Sequence, residues 1–259
     1  MSQAVWQLQH HTASLRLARF RATLRLDNPN VGLADVAMSE IPLPESRFLG
    51  IALPVVQTPV AEALQPFAPA DCYVRGPVLV VTYAATSQRP IQVDASWRVL
   101  TSLPSSGWTA AIELAVSVRT QMLDSRAELA VQSMLAIRES LRLANPAAPR
   151  FEPAEVSQNH ATLVWESGPG CVLFRLPDAG QSYVEMVHPV DFQHDELASA
   201  AGEGPHVRAS HRLFQESLEK GVLLRSRVRG IFLPRTNDLA VAAQAYAEFA
   251  AEEPPLGTY

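Results

Sequence analysis

Lysine is nearly missing from this chain: of 21 basic residues only Lys220 is lysine, and the other twenty are arginine. Arginine codons are GC-rich, so genome composition accounts for the bias, and a single arginine here is weaker evidence for guanidinium chemistry than it would be elsewhere. Charge of either sign is also scarce, at 18% of residues against roughly 25% in an average globular domain. The balance is acidic, with a net charge of −5. A nucleic-acid partner is not expected, because phosphate binding needs a concentrated basic field.

Long apolar stretches are missing too. No run approaches the ~18 residues of a membrane-spanning helix, so no membrane partner is expected. The opening stretch MSQAVWQLQHHTASLRL has no basic segment followed by an apolar one, and a cytoplasmic location is the default expectation. The two cysteines, Cys72 and Cys171, lie far apart in no metal-type spacing, which reads as buried free thiols. There is no HExxH, no GxSxG elbow, no Walker phosphate loop and no GxGxxG after a strand. Neither a metal nor a cofactor is therefore expected.

Apolar residues are plentiful at 47%, and 20 of the 259 residues are proline. Two-residue alternation, the mark of a half-buried strand, recurs along the chain. It is clear over residues 19–26, where Phe20, Ala22, Leu24 and Leu26 alternate with Arg19, Arg21, Thr23 and Arg25. Residues 78–83 are β-branched and aromatic, and Ile91, Val93, Ala95, Trp97 and Val99 share one face. A short strand is expected near residues 48–53 within a proline-punctuated segment. Residues 111–134 read as a long antiparallel hairpin, with a helix over 124–143 as the rival because its residue types have good helix propensity.

Short strands are expected at 161–165, 172–176 and 183–188, a loop with a short helix at 189–201, and a mobile loop at 203–210. Leu239, Ala242, Ala243, Tyr246 and Phe249 recur at helical spacing behind Thr236 or Asn237 as cap. The fold class is mainly β: an antiparallel β-sandwich, single and large or two-lobed, with a C-terminal α-helix. The proline-rich segment 145–153 is a linker candidate between lobes 1–144 and 154–259, which also read as one continuous domain.

Two stretches attract a function. In residues 222–233 the arginines Arg225, Arg227 and Arg229 fall on one face of a strand, ~6.8 Å apart from one to the next. They are candidate ligand-binding residues, since guanidinium forks suit anions, and Arg19, Arg21 and Arg25 form a second ladder that could lie beside them. The plainer reading pairs them with carboxylates such as Glu113 or Glu185 on neighbouring strands. The stretch YVEMVHPVDFQHDEL gathers Glu185, His188, Asp191, His194, Asp195 and Glu196 within twelve residues. Glu185 and His188 are the catalytic candidates, although three residues of spacing puts them on opposite faces of a strand, and a strand end with a polar loop explains the cluster as well.

The reading that follows is a binding or interaction module with an arginine-rich sheet face. Its partner would be a carbohydrate, a small anion or a protein. The alternative is a carbohydrate-active enzyme of mutarotase-like or glycosidase-like type on a large β-sandwich.

Overall fold

The computed structural model describes residues 5–52, 67–103, 107–154, 156, 162–177, 180–200, 206–214 and 216–253. Two large antiparallel sheets face each other. From edge to edge, the first runs Val5–Gln9, Thr12–Arg16, Phe20–Arg25, Leu33–Met38, Arg47–Ala52, Leu129–Ala136, His206–Phe214, His194–Ala200 and Thr162–Trp165, with the short Ile41–Pro42 strand paired beside Leu33–Met38. The second runs Arg150–Pro153, Glu139–Asn145, Cys171–Arg175, Gln181–Val187, Leu223–Pro234, Ala110–Thr120, Ile91–Val99, Val78–Tyr83 and Asp71–Arg75. Strands from both sides of residues 145–153 pair with one another in each sheet: Leu129–Ala136 with His206–Phe214, and Ala110–Thr120 with Leu223–Pro234. The second half of that proline-rich segment is itself the Arg150–Pro153 edge strand.

Alternation decides which side chains meet between the sheets. Leu15, Leu24, Phe48, Val131 and Leu213 from the first sheet face Val81, Val93, Trp97, Leu114, Val116 and Phe232 from the second. Phe48, Tyr183 and Phe232 pack as an aromatic group with centroids 4.7–5.0 Å apart. Aromatic donors also tie the sheets together: Trp97 Nε1 donates to the Leu49 carbonyl (3.2 Å) and the Tyr83 hydroxyl to the Leu26 carbonyl (3.0 Å). Buried rings of this kind need such partners.

The second sheet is covered on its outer face as well. Ala111, Leu143, Leu173, Val184, Met186, Ile231 and Leu233 lie beneath Ala242, Ala245, Tyr246 and Phe249 of the Asp238–Ala251 helix. This third layer explains why strands such as Gln181–Val187 are apolar nearly throughout. The first sheet carries no α-helix among the described residues, and its outer face is free to be polar.

Several expectations are corrected. Ala110–Thr120 and Leu129–Ala136 are strands, but they lie in different sheets and form no hairpin; the chain crosses the sandwich between them. The helix over 124–143 does not form, because Leu129, Val131 and Leu135 point into the core at strand spacing and Glu139–Asn145 is a strand too. The loop and short helix at 189–201 give way to the His194–Ala200 strand, and residues 206–210 begin another strand. The two arginine ladders do not lie side by side: Arg21 and Arg25 belong to the first sheet, Arg225, Arg227 and Arg229 to the second.

Asn237 precedes the helix in a left-handed conformation without a side-chain cap. Instead the Asp238 carboxylate accepts from the Leu239 backbone N–H (2.8 Å), from Ser182 Oγ (2.7 Å) and from Arg175 Nε (3.0 Å). Cys72 and Cys171 are free thiols, the second fully buried. No helix among the described residues is long and apolar enough to cross a membrane.

Candidate functional site

The outer face of the first sheet is built from three strands whose alternate residues point away from the core. Gln132 pairs across to Ser210, and Ser210 to Glu196; the neighbouring rows are Ala130, Arg212, His194 and Met134, Arg208, Ala198. Gln132 also faces Gly50, and Ala130 faces Ala52. The small Ala130 and Ala52 leave depth beside the long polar side chains, whereas the backbone of the Pro29–Val31 turn covers Gly50. The result is a cleft of about 570 Å³ lined by Ala52, Gln132, Glu196, Arg208, Ser210, Arg212 and Phe214 among others.

Polar capacity in this cleft is only loosely used. Arg208 Nη2 stands 3.5 Å from Glu196 Oε1 and Arg212 Nη2 3.8 Å from Glu196 Oε2. A charge-assisted hydrogen bond would be ~2.7–2.9 Å, so both guanidinium forks and the carboxylate retain room for a ligand. Gln132 Nε2 donates to Ser210 Oγ at 3.3 Å. His194, half-buried, sits beside Arg212 on the same face as Glu196. Among the described residues no group of three or more histidine, cysteine or acidic side chains is placed to hold a metal.

Directly beneath this floor, the inward residues of the same strands form a buried ionic relay. His211 Nδ1 is 2.6 Å from Asp195 Oδ1, and its Nε2 is 3.2 Å from Glu185 Oε2 on the opposite sheet. Glu185 also accepts hydrogen bonds from Ser133 Oγ and from the Tyr183 hydroxyl, the latter at 2.8 Å. Glu185 has no exposed surface, and His211 and Asp195 are 1% and 2% exposed. Burial alone would drive His211 toward neutrality, but Asp195 and Glu185 outweigh it and hold the imidazole charged, its pKa pushed up to about 10. Burial, then the Glu185 charge, raises the Tyr183 phenol well above its usual range. Tyr183 reaches Glu185 only because residue 230 is glycine: a Cβ there would stand 2.3 Å from the Tyr183 hydroxyl. Shut off from solvent, the relay supports the cleft floor and fixes the two sheets against each other.

The candidates Glu185 and His188 are not brought together. Glu185 points into the sandwich; His188 lies across the second sheet, its Nε2 3.0 Å from the Glu252 carbonyl and its ring edge-on to Phe249. Two of the three ladder arginines join His188 there. Arg229 binds Glu113 (2.6 Å) and Glu252 (2.8 Å) and lies 4.2 Å above the Phe249 ring. Arg227 binds Glu252 Oε2 and the Glu253 carbonyl, both at 2.8 Å. Burial opposes the Glu252 charge, but the hydrogen bond and charge of Arg229, with those of Arg227, hold its pKa below normal. Arg225, exposed, donates to Ser117 Oγ at 2.8 Å. Of the carboxylates expected to pair with the ladder, Glu113 does so and Glu185 does not.

Sequence reasoning missed Gln132, Glu196, Arg208, Ser210 and Arg212 as a group. The signal was present: HVRASHRLF alternates His206, Arg208, Ser210, Arg212 and Phe214 with Val207, Ala209, His211 and Leu213. The relay's signal is a histidine standing alone in that second, apolar set.

No protein-family model matches the sequence, and no curated protein matches it. Solved structures do. A candidate mutarotase from Salmonella typhimurium superposes with a TM-score of 0.56 at 8% identity, over 90% of this chain and 94% of that one. A candidate aldose 1-epimerase from Klebsiella pneumoniae gives 0.56 at 9% identity, over 93% and 84%. A galactose mutarotase-like protein from Lactobacillus casei gives 0.54 at 7% identity, over 85% and 99%. At such identities the likeness is one of fold.

Proposed function

We propose that this chain binds a carbohydrate in the cleft around Glu196, Arg208 and Arg212. The carrying observation is the set of half-satisfied planar groups on a recessed floor: the Glu196 carboxylate, the Arg208 and Arg212 guanidinium forks and the Gln132 amide, gathered around Ser210 with Glu128 also in the lining. Sugar hydroxyls donate and accept at once, and such a floor offers both roles within one cleft. The named activities of the three similar structures, mutarotases and an aldose epimerase, favour a sugar over other polyols; on fold likeness alone that support is an analogy. Calorimetric titration with a panel of free aldoses tests the reading. A saturable signal lost in Glu196→Gln and Arg212→Ala is the expected result, and no heat with any sugar refutes it.

One observation favours catalysis as a second reading. His194 and Glu196 are two residues apart on one strand and share a face, so their Cα atoms are ~6.8 Å apart. An acid and a base so placed suit interconversion of sugar anomers. Glu196 would take the proton from the anomeric hydroxyl while His194 protonates the ring oxygen, the C1–O5 bond breaking to a carbonyl and closing again on its other face. Polarimetry of freshly dissolved α-glucose and α-galactose tests it. Equilibration no faster with protein than with buffer eliminates this chemistry and leaves binding intact.

A further inference from the structure

A second recess, of about 820 Å³, opens on the same outer face over Thr12–Arg16, Phe20–Arg25 and Leu33–Met38. Arg16, Arg21, Arg25 and Arg47 line it, against Asp35 and Glu45. Most of these charges are engaged. Arg21 pairs with Glu40 (3.1 Å) and Arg25 with Asp27 (2.8 Å), while Asp35 accepts from Thr23 (2.5 Å) and Glu45 binds His206 (2.9 Å). Arg16 and Arg47 are exposed and have no acidic partner among the described residues. The recess thus presents two unneutralised guanidinium groups on a chain whose net charge is −5.

The two recesses come near each other at Met134. Met134 pairs across to Arg47 on one side and to Arg208 on the other, so an arginine from each recess flanks the same residue. Two strand spacings separate those arginines, about 10 Å between Cα atoms. The adjacent row is closed, because the Asn30 carbonyl of the Pro29–Val31 turn lies only 2.3 Å from where a Cβ on Gly50 would point. Met134, half-buried on the outer face, is the residue that lies between the arginines of the two recesses. From Phe20–Arg25 to His194–Ala200 is five inter-strand steps, ~24 Å, which exceeds a single sugar ring several times over.

We infer that the two recesses form one groove for an acidic oligosaccharide, a chain of uronic acid units with one ring at Glu196 and carboxylates at Arg47 and Arg16. This rests on the carbohydrate reading above and adds to it the charge and length of the ligand. Planar carboxylates match guanidinium forks through two parallel hydrogen bonds, and the low positive charge of the groove suits spaced single charges better than a dense polyanion.

The test compares four probes by calorimetry at low and high salt: a galacturonate tetramer, a neutral galactose tetramer, monomeric galacturonate and inorganic phosphate. The acidic tetramer is expected to bind about tenfold or more tightly than the neutral one, with the advantage shrinking as salt screens it. The doubly substituted Arg16→Ala/Arg47→Ala protein should lose the preference for the acidic tetramer and bind the two tetramers alike. Both side chains are exposed, and a thermal melt checks that the variant is folded. Equal affinity for the two tetramers overturns the acidic assignment and leaves the sugar reading standing. Phosphate or the monomer binding as tightly as the acidic tetramer overturns the extended groove. Binding of no sugar overturns both readings.

Discussion

Replacing His211 with glutamine would leave Asp195 and Glu185 buried, facing each other without the cation between them. Breaking a buried ion pair by removing one partner costs roughly 3–5 kcal/mol, a large share of the ~5–15 kcal/mol that holds a typical domain together. Urea unfolding of the His211→Gln protein at pH 7 should show a midpoint lowered to match. The unsubstituted protein makes the complementary test. Its His211 has a folded pKa of about 10, above the ~6.5 of an unfolded histidine. The charged form therefore stabilises the fold fully below pH ~6.5, and that stabilisation drains away as pH rises toward the folded value. Between pH 6.5 and 8.5 the loss should be roughly 2 kcal/mol. Above pH ~8.5 the buried Cys171 thiol, whose pKa burial raises, adds a second loss because the unfolded thiol ionises there. The lower window therefore belongs to the histidine. A flat unfolding midpoint from pH 6.5 to 8.5, together with a His211→Gln deficit below ~1 kcal/mol, would show that the relay holds a neutral imidazole and refute the reasoning. Converting all three groups to amides should recover part of the loss, since no buried charge is then left unpaired.

Three further outcomes are expected. Gly230→Ala should destabilise by ~1–3 kcal/mol, because the new methyl drives the Tyr183 ring off Glu185; the near-ultraviolet tyrosine signal and the unfolding midpoint check it together. Arg229→Met should lower the unfolding midpoint more than Glu252→Gln does, since it leaves the buried Glu113 with fewer partners while the second change removes a carboxylate that is 36% exposed. Asp238, whose pKa is lowered because Arg175 and Ser182 overcome the opposing effect of burial, contributes stability that is present above the ordinary aspartate range near ~3.9 and is lost as pH falls through its folded value. Asp238→Asn should therefore flatten the acid limb of a stability-against-pH curve, and an unchanged limb counts against the Arg175 pairing.

How much was legible can be traced residue by residue. Strands whose pattern is purely local stood out: Phe20–Arg25, Ile91–Val99, Leu223–Pro234 and the helix that follows all lie where alternation or helical spacing put them. The sandwich class follows from those alone. What the pattern could not carry was partner choice. Ala110–Thr120 and Leu129–Ala136 look like the arms of a hairpin because they are adjacent, yet each finds its partners elsewhere, and nothing in either strand says so. The His194–Ala200 strand was hidden for a different reason: HDELASA puts charge on both faces, since Asp195 is spent inside the relay while Glu196 faces the cleft. The candidates Glu185 and His188 face away from the cleft, one into the sandwich and one toward the helix. Glu185 became a core residue, whereas Glu196 and His194, in the same stretch, reached the open face.

The interleaving of the strands has a consequence for biogenesis. The Leu129–Ala136 strand docks on one side against Arg47–Ala52, already made, and on the other against His206–Phe214, which leaves the ribosome some seventy residues later. Ala110–Thr120 waits longer still for Leu223–Pro234, whose Arg229 bonds to Glu113 across 116 positions. During synthesis each of these strands offers one unsatisfied, largely apolar edge to whatever is near, the situation in which nascent chains pair wrongly or with each other. Pairings so distant in sequence also make for slow closure. Producing this protein in quantity is accordingly a contest between late pairing and aggregation, and slower translation or lower temperature during expression should shift it toward the folded form.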